Sequence, residues 1–258
     1  MAFECQHLHK IYRTRNGPIP ALEDVSFRVE DQEFLCIVGP SGCGKTTLLK
    51  LIAGLLEPTS GEITFDGQPA DGRPRCALVF QEHGLFPWMT VLDNAAFGLE
   101  MRGVDRQERH DRAHAFIGRV GLGAFANCYP HELSVGMRQR VAIARAFVCD
   151  PHMLLMDEPF GSLDAQTRLV LQEELLRIWK EYRKQVVYVT HDIEEAILLG
   201  DRVLVMTGRP GGIREDIKIP LARPRDLRAG EQHDVAEIKW HIWEILKDEV
   251  RKSLYVTA

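Results

Sequence analysis

The stretch LCIVGPSGCGKTT (35–47) constrains this chain more than any other feature. An apolar run of strand length leads into a glycine-rich turn, and a helical pattern through Leu48, Leu49 and Ile52 then runs to Gly54. The spacing G-x-x-x-x-G-K-[ST], set between a strand and a helix, builds a phosphate cradle. Gly39, Gly42 and Gly44 let backbone N–H groups curve around phosphate oxygens without Cβ clashes. The helix N-terminus adds the positive end of its dipole. Lys45 is spaced to reach the β- and γ-phosphates, and the Thr46 hydroxyl to complete the shell of a Mg²⁺ ion. Cys43 is a permitted filler whose thiol is expected near the phosphates.

The rest of the chain supplies a fold for that loop. MLLM (153–156), VVYV (186–189) and VLVM (203–206) are continuous apolar runs like FLCIV (34–38), the mark of strands covered on both faces. LEDVSFRV (22–29) and GEITFD (61–66) instead alternate, as half-buried antiparallel strands do. Met137, Val141, Ala144 and Val148 recur at helical spacing, as do Leu171, Leu175, Ile178 and Tyr182. Buried strands alternating with amphipathic helices predict an α/β fold with a parallel sheet. A boundary is expected near Pro220. The polar, turn-prone LARPRDLRAGEQ (221–232) follows it, then an amphipathic helix with Val235, Ile238, Ile242, Leu246 and Val250 on one side.

Composition removes several classes. At 258 residues, 45% hydrophobic, 27% charged and net charge −5, the chain reads as an ordinary globular protein without the basic excess of a nucleic-acid binder. The N-terminal MAFECQHLHKIYR lacks the apolar core of a signal peptide, so none is expected. Every apolar run is far below the roughly 20 residues that cross a bilayer, so work at a membrane would require another chain to span it. The cysteines at 5, 36, 43, 76, 128 and 149 form no CxxC, which fits reduced thiols in a cytosol. HDRAH (110–114) reads as a solvated helix face and GRPGG (208–212) as a turn.

MLLMDEP (153–159) ends an apolar strand in two carboxylates. Asp157 at the strand end can hold Mg²⁺ through water, and Glu158, one residue on, can polarise an attacking water as general base. Upstream, HELSVGMRQRVAIARA (131–146) puts Ser134 at the N-cap of a patterned helix.

In that order and spacing, these segments resemble the motifs of ABC transporter ATPases. LSVG around Ser134 and Gly136 is similar to their signature, GSLD (161–164) to their D-loop, and His191 in VYVTHD to their switch histidine. Gln81 in LVFQEHGLF matches their Q-loop glutamine, and Tyr12 in LHKIYR sits where the family stacks an aromatic ring on adenine. The resemblance covers residues 1 to about 220. It implies a P-loop NTPase fold with a RecA-like parallel-sheet core, an N-terminal antiparallel β subdomain and an inserted helical subdomain at about 83–145. It further implies ATP and Mg²⁺, with Tyr12 and residues Gly39, Pro40, Ser41, Gly42, Cys43, Gly44, Lys45, Thr46 and Thr47 binding nucleotide. Thr46, Gln81 and Asp157 would hold the metal, while Lys45, Gln81, Glu158 and His191 would serve hydrolysis. Ser134, Gly136 and Asp164 would act across a dimer of cassettes, whose second member is another copy or a close relative.

Two residues depart from the family pattern: Val135 replaces the first glycine of the signature, and Gly161 the first serine of the D-loop. Neither removes a charged catalytic group, so activity is expected. Leu85, Phe86 and Trp88 either fill the helical subdomain or line the groove that receives a permease helix. The Pro-Trp pair, FGLEMRG, TGRPGGI and ARPRD resemble the nitrate, sulfonate and taurine group of import ATPases. The partners so implied are two transmembrane permease subunits and, indirectly, an external solute-binding protein, with the chain on the cytoplasmic face of the cell membrane and no nucleic acid involved. The alternatives are a soluble ABC-type ATPase outside transport, or a weakly hydrolysing regulatory module. The first usually carries tandem cassettes or coiled-coil insertions, and the intact Glu158 and His191 speak against the second.

Overall fold

The computed structural model describes residues 1–67, 72–81, 84–223, 225 and 232–255, with the side chains of 232, 233, 250 and 252–255 outside the description. The elements in chain order are β1 (Phe3–Thr14), β2 (Gly17–Val29), β3 (Phe34–Val38), α1 (Lys45–Ile52), β4 (Ser60–Phe65) and β5 (Cys76–Val79). Next come α2 (Val91–Met101), α3 (Arg106–Arg119), α4 (Val135–Val148), β6 (Met153–Asp157) and α5 (Ala165–Tyr182). The chain continues with β7 (Gln185–Thr190), α6 (Ile193–Leu199), β8 (Arg202–Met206), β9 (Ile213–Lys218) and α7 (Gln232–Tyr255). Two compact units result, one from Met1–Gln68 with Gln185–Ala258, the other from Pro69–Lys184.

In the first unit, β3 lies between β7 and β8, parallel to both, and β9 closes onto β8 antiparallel. Every residue of β3 and β7 is buried, which is why their sequences run apolar without alternation. Burial of each such Val, Leu or Ile is worth roughly 1.5–3 kcal/mol. A separate antiparallel sheet has the order β2-β1-β4, so the two alternating segments of the sequence flank a third strand rather than pairing with each other. Phe3 anchors it, buried between Phe27 at 6.1 Å and Phe65 at 5.7 Å. Alternation in β1 is broken by register shifts between Cys5 and Leu8, where His7 takes φ 48° and its N–H donates to Ser26 Oγ.

The buried side of α7 carries Ile242 and Leu246, as the periodicity predicts, while Val250 lies outside the described side chains. Of LARPRDLRAGEQ, residues 224 and 226–231 are likewise outside the description. What is described has a structural task. The buried Arg225 donates to the carbonyls of Ile197, Leu198, Gly200 and Leu221, and Arg223 to that of Leu199. Both close the C-terminal end of α6, where unpaired carbonyls and the negative dipole end favour a guanidinium.

In the second unit, β5 and β6 pair in parallel, with Val79 opposite Met156. Val141, Ala144 and Val148 of α4, and Leu171, Leu175 and Ile178 of α5, are buried as their spacing predicts. Phe116, Phe147 and Tyr182 gather α3, α4 and α5 with centroid distances of 5.4–5.7 Å. Helix α2 approaches α4 so closely that a methyl on Gly98 would sit 2.0 Å from Cys149 Sγ.

Candidate functional site

The first unit carries the phosphate loop. Strand β3 delivers it, and α1 begins at Lys45 after a cap residue, Gly44, that has no side chain to occupy the first N–H groups. Those N–H groups have no partner within a helix, the arrangement that receives phosphate. Gly44 holds φ 105°, and a Cβ there would meet Ala21 O and Leu22 Cδ2, each at 2.8 Å. The buried Lys45 folds back over the loop, its Nζ donating to Gly39 O at 2.8 Å and Pro40 O at 3.1 Å. The Cys43 thiol, by contrast, is fully buried, close to Gly39. Pro40 is half-buried, and Ser41, Gly42 and Thr46 are exposed.

Tyr12 arrives on β1, with its hydroxyl 3.2 Å from Thr47 Oγ1 and Lys10 Nζ 5.5 Å from its ring centroid. An exposed aromatic is thus held beside the helix that starts at the phosphate loop. His191, also exposed, follows β7, whose last residue Thr190 is in register with Val38, the last residue of β3. The loop and the histidine therefore leave adjacent parallel strands at the same carboxyl edge, where open α/β sheets bind ligands.

The second unit repeats this arrangement. Gln81 comes just after β5 and Asp157 ends β6, again at one carboxyl edge, with Gln81 exposed and Asp157 buried. Glu158 takes φ 44°, uncommon for a residue with a Cβ, while its carbonyl accepts the N–H of Gly161 at 3.1 Å. Backbone conformations of this kind gather at functional sites. Ser134 caps α4, its Oγ accepting the Met137 N–H at 3.3 Å, and Val135 opens the helix partly exposed. A Cβ on Gly136 would press on Thr167 Cγ2 at 3.1 Å. Asp164 caps α5, accepting the N–H of Thr167, whose backbone and hydroxyl hold its carboxyl below the ordinary range. The oxygen donors of Thr46, Gln81 and Asp157 are hard, as Mg²⁺ requires.

The residues around the Pro-Trp pair separate into two roles. Phe86 packs on Phe97 at 4.5 Å and on Trp88 at 5.5 Å, whereas Trp88 itself is 70% exposed. Sequence reasoning missed what holds this segment. The fully buried amide of Asn94 accepts the Phe86 N–H at 2.8 Å and donates to the carbonyls of Phe86, Met89 and Thr90 at 3.0–3.1 Å. Arg145 adds a bond to Gly84 O at 2.8 Å. The only signal available was a single amide within an otherwise apolar helical run, N-A-A-F (94–97).

Known proteins share this combination. The model of the family described as "ABC transporter" matches residues 22–161. An uncharacterized ABC transporter ATP-binding protein of Methanocaldococcus jannaschii is 50% identical over 96% of this chain and 92% of its own. The nitrate import ATP-binding protein of a Synechocystis species is 47% identical over 86% of this chain and 84% of its own. The taurine import ATP-binding protein of Rhizobium johnstonii is 44% identical over 97% and 95%. Among solved structures, a dimeric bacterial ABC transporter cassette superposes with a TM-score of 0.75 at 33% identity, covering 85% of this chain and all of that one. A post-hydrolysis dimer bound to ADP and phosphate matches equally well.

Proposed function

The chain belongs to the ABC transporter family, and from that premise we propose that it energises the import of a small anion or sulfonate of the nitrate and taurine type. It is an ATPase with the P-loop cassette fold, using ATP with Mg²⁺. The observation that carries the finer reading is the 44–47% identity to nitrate and taurine import subunits along 86–97% of the chain.

In this reading the phosphate loop binds ATP. Lys45 exchanges its bonds to the Gly39 and Pro40 carbonyls for the β- and γ-phosphates, so its charge moves onto the anion without the loop having to be built anew. Tyr12 stacks on the adenine. Thr46, Asp157 and Gln81 would hold Mg²⁺, which would neutralise phosphate charge. Glu158 takes the proton of the attacking water, and His191 contacts the terminal phosphate from the carboxyl edge next to the loop. Ser134 and Gly136 of a second cassette close over the nucleotide, and Asp164 couples the two sites. The helical subdomain, about 83–145, carries the permease contact, with Trp88 as the exposed anchor set in place by Asn94. No helix among the described residues is long and apolar enough to cross a membrane, so the permease subunits supply the passage.

The test is reconstitution of the chain with its permease subunits and external binding protein. Nitrate, taurine and alkyl sulfonates are offered in turn while ATP hydrolysis and uptake are followed. One of them should stimulate both. Stimulation by an unrelated solute alone would reject the solute class, and ATP turnover that never couples to a permease would reject the transport role. Trp88→Ala should leave the basal ATPase intact and weaken co-purification of the permease.

A further inference from the structure

Glu195 is a carboxylate that the motif set does not use, only 6% exposed in the first turn of α6. Its neighbour Glu194 behaves as a surface acid, exposed and paired with Lys239. Glu195 turns inward instead. Its Oε1 accepts the Tyr188 hydroxyl at 2.7 Å, and its Oε2 accepts the hydroxyl of Thr190. Tyr188 and Thr190 stand two residues apart on β7, on the same face of the strand, and both are fully buried.

Burying a carboxylate is costly unless hydrogen bonds replace its water, and an apolar residue would hold α6 on the sheet more cheaply. What a carboxylate adds is direction. The Thr190 hydroxyl, donating to Glu195, also accepts the N–H of Asp192 at 3.0 Å. Asp192 in turn caps α6, accepting the N–H groups of Glu194 and Glu195 at 2.9 and 3.3 Å. One closed ring of bonds thus runs Glu195, Thr190, Asp192 and back to Glu195, and the residue it brackets is His191.

We propose that Glu195 is a positioning residue for His191: through the Thr190 hydroxyl its buried carboxylate fixes the turn 190–192 and so aims the histidine. The proposal rests on the assignment of His191 to the terminal phosphate. Misplacing a catalytic group by about an ångström costs on the order of 10² in rate, so a loosened turn should lower turnover while leaving most of the nucleotide contacts untouched.

The experiment measures kcat and KM for MgATP, equilibrium binding of a labelled ATP, and thermal stability in the full chain. The variants are Glu195→Ala, Thr190→Val and His191→Ala, and the first two are each combined with the third. Glu195→Ala and Thr190→Val should each lower kcat about tenfold or more, with KM and binding within about threefold. On the His191→Ala background neither should change kcat by more than about twofold, because a group that acts through His191 has nothing left to aim. Glu195→Gln, with one acceptor oxygen and the same volume, should fall between the wild type and Glu195→Ala. Losses that multiply on the His191→Ala background, or that appear equally in binding, would overturn the proposal in favour of a general packing role. If His191→Ala itself keeps full turnover, the assignment of His191 fails, a result distinct from multiplying losses. Should Glu195→Ala not fold, the isosteric Thr190→Val carries the same comparison, and unchanged kcat in it rejects the proposal.

Discussion

Gly44 and Gly42 both have positive φ in the phosphate loop, yet the structure predicts unequal penalties for a single methyl at the two positions. At Gly44, φ is 105° and the new Cβ would sit 2.8 Å from the Ala21 carbonyl oxygen and 2.8 Å from Leu22 Cδ2. A backbone region that side chains rarely adopt costs about 1–3 kcal/mol, and overpacking against neighbours about 1–3 kcal/mol more. The tip of Leu22 can move aside, but the carbonyl belongs to β2 and cannot. A net of roughly 2–4 kcal/mol therefore remains for Gly44→Ala. At Gly42, φ is 78° and nothing lies within 4 Å of the new methyl, so only the backbone contributes. A left-handed conformation costs about 1–2 kcal/mol there.

The loop is held at both ends by buried elements, so the strain is expected to displace the loop rather than unfold the chain, and to be read in nucleotide affinity. At about 1.4 kcal/mol per tenfold, Gly44→Ala should weaken binding some 30- to 1000-fold and Gly42→Ala roughly tenfold. Titration with a fluorescent ATP analogue, beside thermal unfolding of both variants, makes the measurement. Gly42→Ala binding as weakly as Gly44→Ala, or Gly44→Ala binding within threefold of wild type, would refute the reasoning from contact to affinity.

Three further outcomes can be checked directly. Glu158→Gln should bind ATP normally and lose turnover by about 10²–10⁴, since a positioned base is worth that much; steady-state hydrolysis near wild type would place the base elsewhere. Tyr12→Ala should raise KM by the ~1–3 kcal/mol that base stacking contributes and spare kcat, whereas weaker binding of inorganic triphosphate would contradict a contact confined to the base. Arg225→Ala strips donors from four carbonyls around the end of α6. At about 1.5–3 kcal/mol for a hydrogen bond to a charged group, with water replacing part of the loss, it should cost roughly 2–4 kcal/mol, or a melting shift of several degrees by the scaling for a chain of this size. An unchanged melting temperature would show that α6 is held by other contacts.

What the amino-acid order determined here is local. The glycine spacing ahead of Lys45, the apolar runs of β3, β6, β7 and β8, the serine cap before α4 and the carboxylate pair at the end of β6 depend on neighbours a few residues away, so each can be read where it stands. Periodicity likewise located the buried faces of α4 and α5. Other elements escaped. Strand β1 lies between the two alternating segments, but bulges at His7 and beyond interrupt its own alternation. Strand β5 is four residues long, and β9 reads as a charged string, so neither rises above a loop in the sequence. Arg225 reads as part of a polar linker, and the sequence assigns no role to Asn94 or Glu195. Only the tertiary structure decided otherwise, because the partners of these groups lie on other strands, helices and turns of the fold. A buried amide, guanidinium or carboxylate is defined by the groups that replace its water, and those come together only when the chain has folded.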